Sequence, residues 1–198
     1  MNQALADSVG SLMQSRRTIL PKRLVAPGPD AAQLQQIFVA AASAPDHGQL
    51  RPWRFVMVPQ EARAALAQAF GIALLERDPQ AVAEQVLQAQ EKAYRAPCLM
   101  LVVVNANCGD PAIDINERIV STGCAVQNML LVTTALGYGS ALTSGKALKS
   151  TVLRALFGVG DGEHAMCFIS IGTIASRKQS PRQRPVPDDY VSSLTRRP

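Results

Sequence analysis

A sheet with helices packed around it, α/β or α+β in class, is what the sequence predicts. Three observations carry this. Helical spacing of apolar residues recurs along the chain and outweighs strand patterns. The run Leu99 to Val104 is apolar throughout and β-branched at its end, which suits a strand buried on both faces. The other strand candidates are few and well separated by helices. At 198 residues, 47% hydrophobic and 18% charged, the composition is globular and the length fits one domain with an appended arm.

The first helix is expected over residues 2–17, from Leu5, Val9, Leu12 and Met13 at helical spacing. Arg16 and Arg17 close it, where cations suit the helix dipole. Pro21, Pro27 and Pro29 then forbid regular structure up to Asp30. Asp30 and Gln33 form a capping box for a helix that buries Leu34, Ile37, Phe38 and Ala41 and stops at Pro45. A polar loop follows from Asp46 to Pro52, then a short strand from Trp53 to Val58. Residues 61–75 and 79–95 read as two helices, the second ended by Arg95-Ala96-Pro97. After the Leu99–Val104 strand, residues 114–136 form a long helix. It is amphipathic at first and apolar nearly all round later, as in a helix through the centre of a fold or at a subunit interface. Gly137 and Gly139 end it, and Ser140 to Thr143 make a short strand. A short helix at 149–157, a turn at Gly160-Asp161-Gly162 and an apolar strand from Ala165 to Ile174 complete the body. Beyond Ser176, three prolines mark an extended arm.

Several function classes lose support. The four cysteines form no CxxC pair, and with only His47 and His164 as imidazoles no metal site is expected. Three of the thiols lie in apolar runs, which suits reduced cysteine in a cytoplasmic protein. No basic n-region or apolar core marks a secretory signal, and the most apolar stretch, Cys124 to Leu136, falls short of the roughly 20 residues that span a bilayer. The net charge of +5 is concentrated in residues 177–198, where six basic groups face Asp188 and Asp189. A basic tail admits a nucleic-acid or anionic-surface binder, a second reading of another class. The near-neutral body, the missing recognition motif and 5% aromatics argue against it. Phosphate-loop, dinucleotide, nucleophile-elbow and HExxH motifs are all absent.

Three stretches remain. Arg16-Arg17-Thr18 sits where a helix gives way to a Pro-rich loop, and two guanidiniums with a hydroxyl can grip a phosphate at several oxygens. A dipole-complementing helix end is the plainer reading. Ala44 to Phe55 packs Asp46, His47, Gln49 and Arg51 into one loop before a strand, a setting that binding residues favour. A polar connection with Trp53 as a core anchor is the alternative. Ser140 to Gly145 offers small residues whose backbone a planar ligand can approach closely.

In this order, the stretches resemble the nitroreductase family of flavoproteins. The resemblance is closest to a compact subgroup with an Arg-Arg-Ser/Thr start and an Ala-Pro-Asp-His loop. It runs through Arg16-Arg17-Thr18, Ala44-Pro45-Asp46-His47, Arg51-Pro52-Trp53, Arg95-Ala96-Pro97, Gly123-Cys124-Ala125, Gly137-Tyr138-Gly139, Ser144-Gly145 and Gly172-Thr173. It implies an α+β fold with a central, mostly antiparallel sheet flanked by helices. It implies a homodimer with an exchanged C-terminal arm, residues 1–176 binding FMN and residues 177–198 forming the arm. Carried over by position, Arg16, Arg17 and Thr18 would meet the FMN phosphate and ribityl chain. Ser43 and His47 would line the flavin, Leu142, Thr143 and Ser144 would meet the flavin or its phosphate end, and Arg177 would reach the phosphate. The sequence departs from the wider pattern at Gln49-Leu50-Arg51-Pro52-Trp53, where Asn-x-Gln-Pro-Trp is usual, and at Ser43, Leu142 and Thr143.

The implied activity is an FMN-dependent NAD(P)H oxidoreductase that reduces small electron-poor acceptors, nitroaromatics or quinones, by ping-pong hydride transfer. The flavin carries the chemistry and no side chain is an obligatory catalyst. Enone reduction or dehalogenation on the same fold is the alternative within the family. Neither a nucleic acid nor a membrane is expected as partner.

Overall fold

The protein is described by a computed structural model over residues 2–177 and 184–194. Its helices are α1 (Gln3–Ser15), α2 (Ala31–Ala41), α3 (Arg63–Arg77), α4 (Ala83–Glu91), α5 (Ile115–Ala135) and α6 (Thr151–Leu156). Its strands are β1 (Leu24–Val25), β2 (Trp53–Met57), β3 (Cys98–Asn105), β4 (Gly139–Thr143) and β5 (Glu163–Ile174). Every pairing between these strands is antiparallel, in the order β1-β5-β3-β2 with β4 also on β5. Helices flank the sheet, so the α+β class holds.

β3 sits between β2 and β5, and all but its last residue are buried. Side chains alternate across a strand, so β3 feeds two cores. Leu99, Leu101 and Val103 join Leu66 of α3, Leu153 of α6 and Phe168. Cys98, Met100 and Val102 join Ile37 of α2, Met129 of α5 and Ile169. The unbroken apolar run is thus the sequence trace of a two-faced central strand.

The capping box of α2 forms as the sequence predicts. Gln33 N–H donates to Asp30 Oδ1 at 2.8 Å, and Asp30 N–H donates to Gln33 Oε1 at 3.0 Å. The expectation that prolines exclude regular structure up to Asp30 fails in part. Pro21–Arg23 form a 3₁₀ turn, and Leu24 and Val25 pair with Ile174 and Thr173. A two-residue strand has no periodicity to detect, and Pro27 falls just outside it. Leu24 closes a small third cluster with Ile19 and Ala96, against which Ile174 packs.

Among the described residues, Arg63 and Arg118 are buried and spend their guanidiniums on backbone carbonyls. Arg63 donates to Val58, Ala93 and Pro97, tying the start of α3 to the approach to β3. Burial holds its pKa below the ordinary arginine value. Arg118 donates to the carbonyls of Ile113, Cys108 and Asp110, fixing the loop that leads into α5. The four cysteines are free thiols. Burial raises the Cys98 and Cys167 thiols to about 11, so both stay protonated at neutral pH.

Candidate functional site

The first helix ends at Ser15, and Arg16 turns the chain into an extended conformation at φ −61°, ψ 124°. That turn lays the following residues along β4. Thr18 makes a parallel bridge with Ser140, and Ile19 N–H donates to Ser140 O at 2.9 Å. Two stretches more than a hundred residues apart are thereby brought together.

A cavity of about 170 Å³ opens where they meet. Arg16 and Thr18 form one wall, Gln127 and Leu130 of α5 another, and Ser140, Ala141 and Leu142 the third. Arg16 is half-buried, while Thr18 and Leu142 are exposed. A cation, a hydroxyl and small β4 residues thus share one concave surface. Gly139 allows this approach, since a Cβ there would stand 2.7 Å from Ile174, 2.8 Å from Leu24 and 3.0 Å from Ile19. Gly137, just past α5, has φ 87° and reverses the chain into β4, a conformation suited to glycine.

The remaining predicted residues divide. Arg17 is exposed and lies outside the cavity wall, and Thr143 and Ser144 are exposed at and just beyond the end of β4. Arg177 is exposed shortly after β5. Ser43 is exposed after α2, and His47 lines a second cavity of about 340 Å³ at the start of α5. Glu117 and Gln127 mark the two cavities on α5. Ten residues of helix separate them, about 15 Å at 1.5 Å per residue. One chain therefore holds Arg16, Thr18 and Leu142 at one cavity and His47 at the other, while Arg17, Ser43, Thr143, Ser144 and Arg177 line neither.

His47 Nδ1 and Glu117 Oε2 are 2.8 Å apart across 70 residues of sequence. The other walls of that cavity come from Pro45, Asp46, Asn116, Val120 and Ser121. Gln127, Ser140, Ala141 and Glu117 were not among the residues expected from sequence. Ser140 and Ala141 lay inside the Ser140–Gly145 stretch, whereas no sequence motif marks Gln127. Nothing in the sequence links Glu117 to His47.

The described part of the tail returns to Arg16. Arg184 Nη2 donates to the carbonyls of Met13, Gln14 and Arg16 at 3.4, 3.1 and 3.3 Å, capping the carboxyl end of α1. Among the described residues no cluster of His, Cys, Asp and Glu could hold a metal ion. No described helix is long and apolar enough to cross a membrane.

Comparison with known proteins agrees over most of the chain. The model of the Nitroreductase family matches residues 13–173. A Haemophilus influenzae protein named "Putative NAD(P)H nitroreductase" is 34% identical over 152 residues, covering 77% of this chain and 82% of the relative. The crystal structure of a nitroreductase-like family protein from Bacillus cereus superposes with a TM-score of 0.79 at 17% identity, covering 94% of this chain and 95% of that one. That of the FMN-dependent nitroreductase NfnB from Mycobacterium smegmatis, in complex with NADPH, gives 0.74 at 17% identity, covering 96% and 100%. At that identity the two structures speak for the fold.

Proposed function

This chain belongs to the Nitroreductase family, and on that premise we propose that it is an FMN-dependent NAD(P)H oxidoreductase. Its acceptors would be small electron-poor molecules, nitroaromatics or quinones. The observation that carries the reading is the cradle where Arg16 and Thr18 meet β4. A guanidinium and a hydroxyl on one concave wall are the donors a phosphate monoester needs. The donor set therefore fits FMN. Arg16, Arg17 and Thr18 hold the phosphate and ribityl chain, Leu142, Thr143 and Ser144 support its length, and Arg177 adds charge. Ser43 and His47 line the flavin. When bound, FMN supplies hydride acceptance from NAD(P)H and hydride donation to the acceptor. The protein's part is to orient both partners and exclude water.

A cavity of about 170 Å³ is smaller than the roughly 300–1,000 Å³ of a small-molecule site. A second copy of the chain completes it, so the working unit is a homodimer. Supporting this, α1 buries none of its residues and leaves Leu5, Val9 and Met13 exposed, while Ile119 and Val120 of α5 and Leu142 beside the cradle are exposed too. Large apolar side chains left in water on neighbouring elements are what a subunit interface covers. The separation of His47 from the cradle along α5 then has a simple meaning. Each site takes Arg16 and Thr18 from one copy and the Ser43–His47 loop from the other. The arm beyond Arg184 contributes to that contact through Tyr190, Val191 and Leu194, all exposed in one chain.

The deciding experiment is the visible spectrum of the purified protein and chromatography of the flavin it releases. Yellow protein that releases FMN and oxidises NAD(P)H with a quinone or nitroaromatic, with parallel double-reciprocal lines, is the expected result. Tightly held FAD, or a colourless protein that takes up no added FMN, overturns it. For the dimer, deletion of residues 185–198 spares Arg177 and Arg184. It should loosen assembly and lower flavin content together, since a ligand that binds only the dimer stabilises it by mass action. Light scattering joined to flavin absorbance reads both, and a full-length monomer loaded with FMN would refute the shared site.

A further inference from the structure

The loop that carries His47 is held under strain. Gly48, Gln49 and Arg51 have φ of 70°, 52° and 48°, and two of these are not glycine. Left-handed backbone in such residues persists only where the surroundings over-determine it, and it clusters at functional sites. The restraints are visible. Arg51 N–H donates to Asp46 Oδ2 at 2.7 Å, and Gln49 N–H donates to Asp46 O at 3.1 Å. His47 itself is tethered to α5 through Glu117 at 2.8 Å.

An ion pair this exposed, with side chains 68% and 51% accessible, adds little stability. What it does fix is the imidazole. An ionised carboxylate only accepts hydrogen bonds, so the pair places a proton on Nδ1 and leaves Nε2 as the ring nitrogen open to a second partner. The pair borders a cavity of about 340 Å³, within the range of small-molecule sites. Pro45 and Val120 give that cavity apolar walls, and its ionisable lining residues are His47, Glu117 and Asp46.

We propose that this cavity receives the electron acceptor and that Glu117 is a positioning residue, setting His47 to deliver the proton that accompanies hydride transfer. The proposal rests on the oxidoreductase reading above. Two-electron reduction of a quinone adds one hydride, which originates in NAD(P)H, and one proton. The protonated imidazole donates from Nε2 to the acceptor oxygen. The N–H bond breaks with its electron pair left on Nε2, an O–H bond forms, and water returns a proton to the ring. Glu117 takes no part in bond making. It keeps the Nδ1 proton in place through the cycle.

The test uses flavin-loaded parent protein and the variants E117A, E117D, H47Q and E117A/H47Q. The oxidative half-reaction with 1,4-benzoquinone is followed by rapid mixing in H₂O and D₂O, and ring ¹⁵N NMR reads the His47 tautomer in the resting protein. A positioned general acid contributes about 10²–10⁴-fold, so E117A should slow this half-reaction about tenfold and H47Q about a hundredfold. The solvent isotope effect should fall in both single variants. E117D should recover most of the loss, the double variant should be no slower than H47Q, and NMR should find the ring proton moved from Nδ1 to Nε2 in E117A. Loaded E117A with the parent's rate and isotope effect overturns the proposal alone. Losses in the single variants that multiply in the double variant also overturn it, because they mark independent roles. A parent protein that holds no flavin overturns the oxidoreductase reading and this proposal with it.

Discussion

Gly139→Ala adds one methyl group at the point where three segments converge behind the cradle. The new Cβ would lie 2.7 Å from Ile174 Cγ1, 2.8 Å from Leu24 Cδ2 and 3.0 Å from Ile19 Cγ1. Carbon atoms prefer separations of about 3.5–4.0 Å, so each neighbour must retreat by roughly 0.5–1 Å. Overpacking of this kind costs about 1–3 kcal/mol, against a gain of about 0.4–1 kcal/mol from a less flexible unfolded chain. A net loss of about 1–2 kcal/mol is expected, read as a lower midpoint at unchanged slope in urea unfolding followed by circular dichroism. The displacement also reaches the site. Ile19 N–H is bonded to Ser140 O, and Thr18 is the next residue back. FMN should therefore bind about threefold to tenfold more weakly, or roughly 0.7–1.4 kcal/mol. An unchanged midpoint would refute the packing estimate. A lowered midpoint with unchanged FMN affinity would refute the mechanical link between the Ile19 cluster and the cradle.

Three further outcomes follow from the structure. Arg63→Met strips the donors from Val58 O, Ala93 O and Pro97 O, and the first two are buried acceptors that cost about 1–3 kcal/mol each when left unpaired. Relief of the guanidinium's own burial offsets part of this, so a loss of about 2–4 kcal/mol is expected in urea unfolding, and one below about 1 kcal/mol would contradict the role assigned to it. Glu163 is held below the ordinary carboxylate range, chiefly by its hydrogen bond from Arg54, opposed by burial and helped by the Gly160 N–H. A carboxyl lowered in the folded state stabilises the protein above its unfolded pKa, and that stability is lost as pH falls through the folded value. Glu163→Gln should therefore cost about 1–2 kcal/mol at neutral pH and flatten the fall in stability below about pH 4, where an equally steep acid limb would count against the pair. Arg16→Ala should weaken FMN binding about 30-fold or more while leaving the fold intact, since truncating a paired charge costs roughly 2–5 kcal/mol. A titration within about twofold of the parent would reduce Arg16 to a helix-end charge.

The elements that announce themselves in the sequence are those with a period or a cap. Asp30 and Gln33 mark the start of α2, the Leu99–Val104 run marks β3, and the expected 114–136 helix appears as Ile115–Ala135. β1 has neither signal, because it exists only through its pairing with Ile174 and Thr173. No sequence signal marks Arg63 or Arg118, and their burial follows from carbonyls that only the folded chain presents. The candidate site divides along the same line. Arg16 and Thr18 were legible from a helix end rich in phosphate-binding groups, and the structure sets them against β4. Local sequence holds no information on which loops face each other. Glu117 beside His47, and Gln127 beside Arg16, came into view only with the packing of α5.

The two faces of β3 separate durability from chemistry. The core on the side of α3 and α6, around Leu66, Leu153 and Phe157, contributes no residue to either cavity. The core on the side of α2 and α5 includes Leu130, which forms part of the cradle wall. Substitutions that tighten the first face can raise the melting temperature without the usual sacrifice of activity, whereas the same changes on the second face reach the cavity lining directly. A thermostabilised version of this protein is best sought around Leu66 and Phe157, and a library for altered acceptor preference around α5.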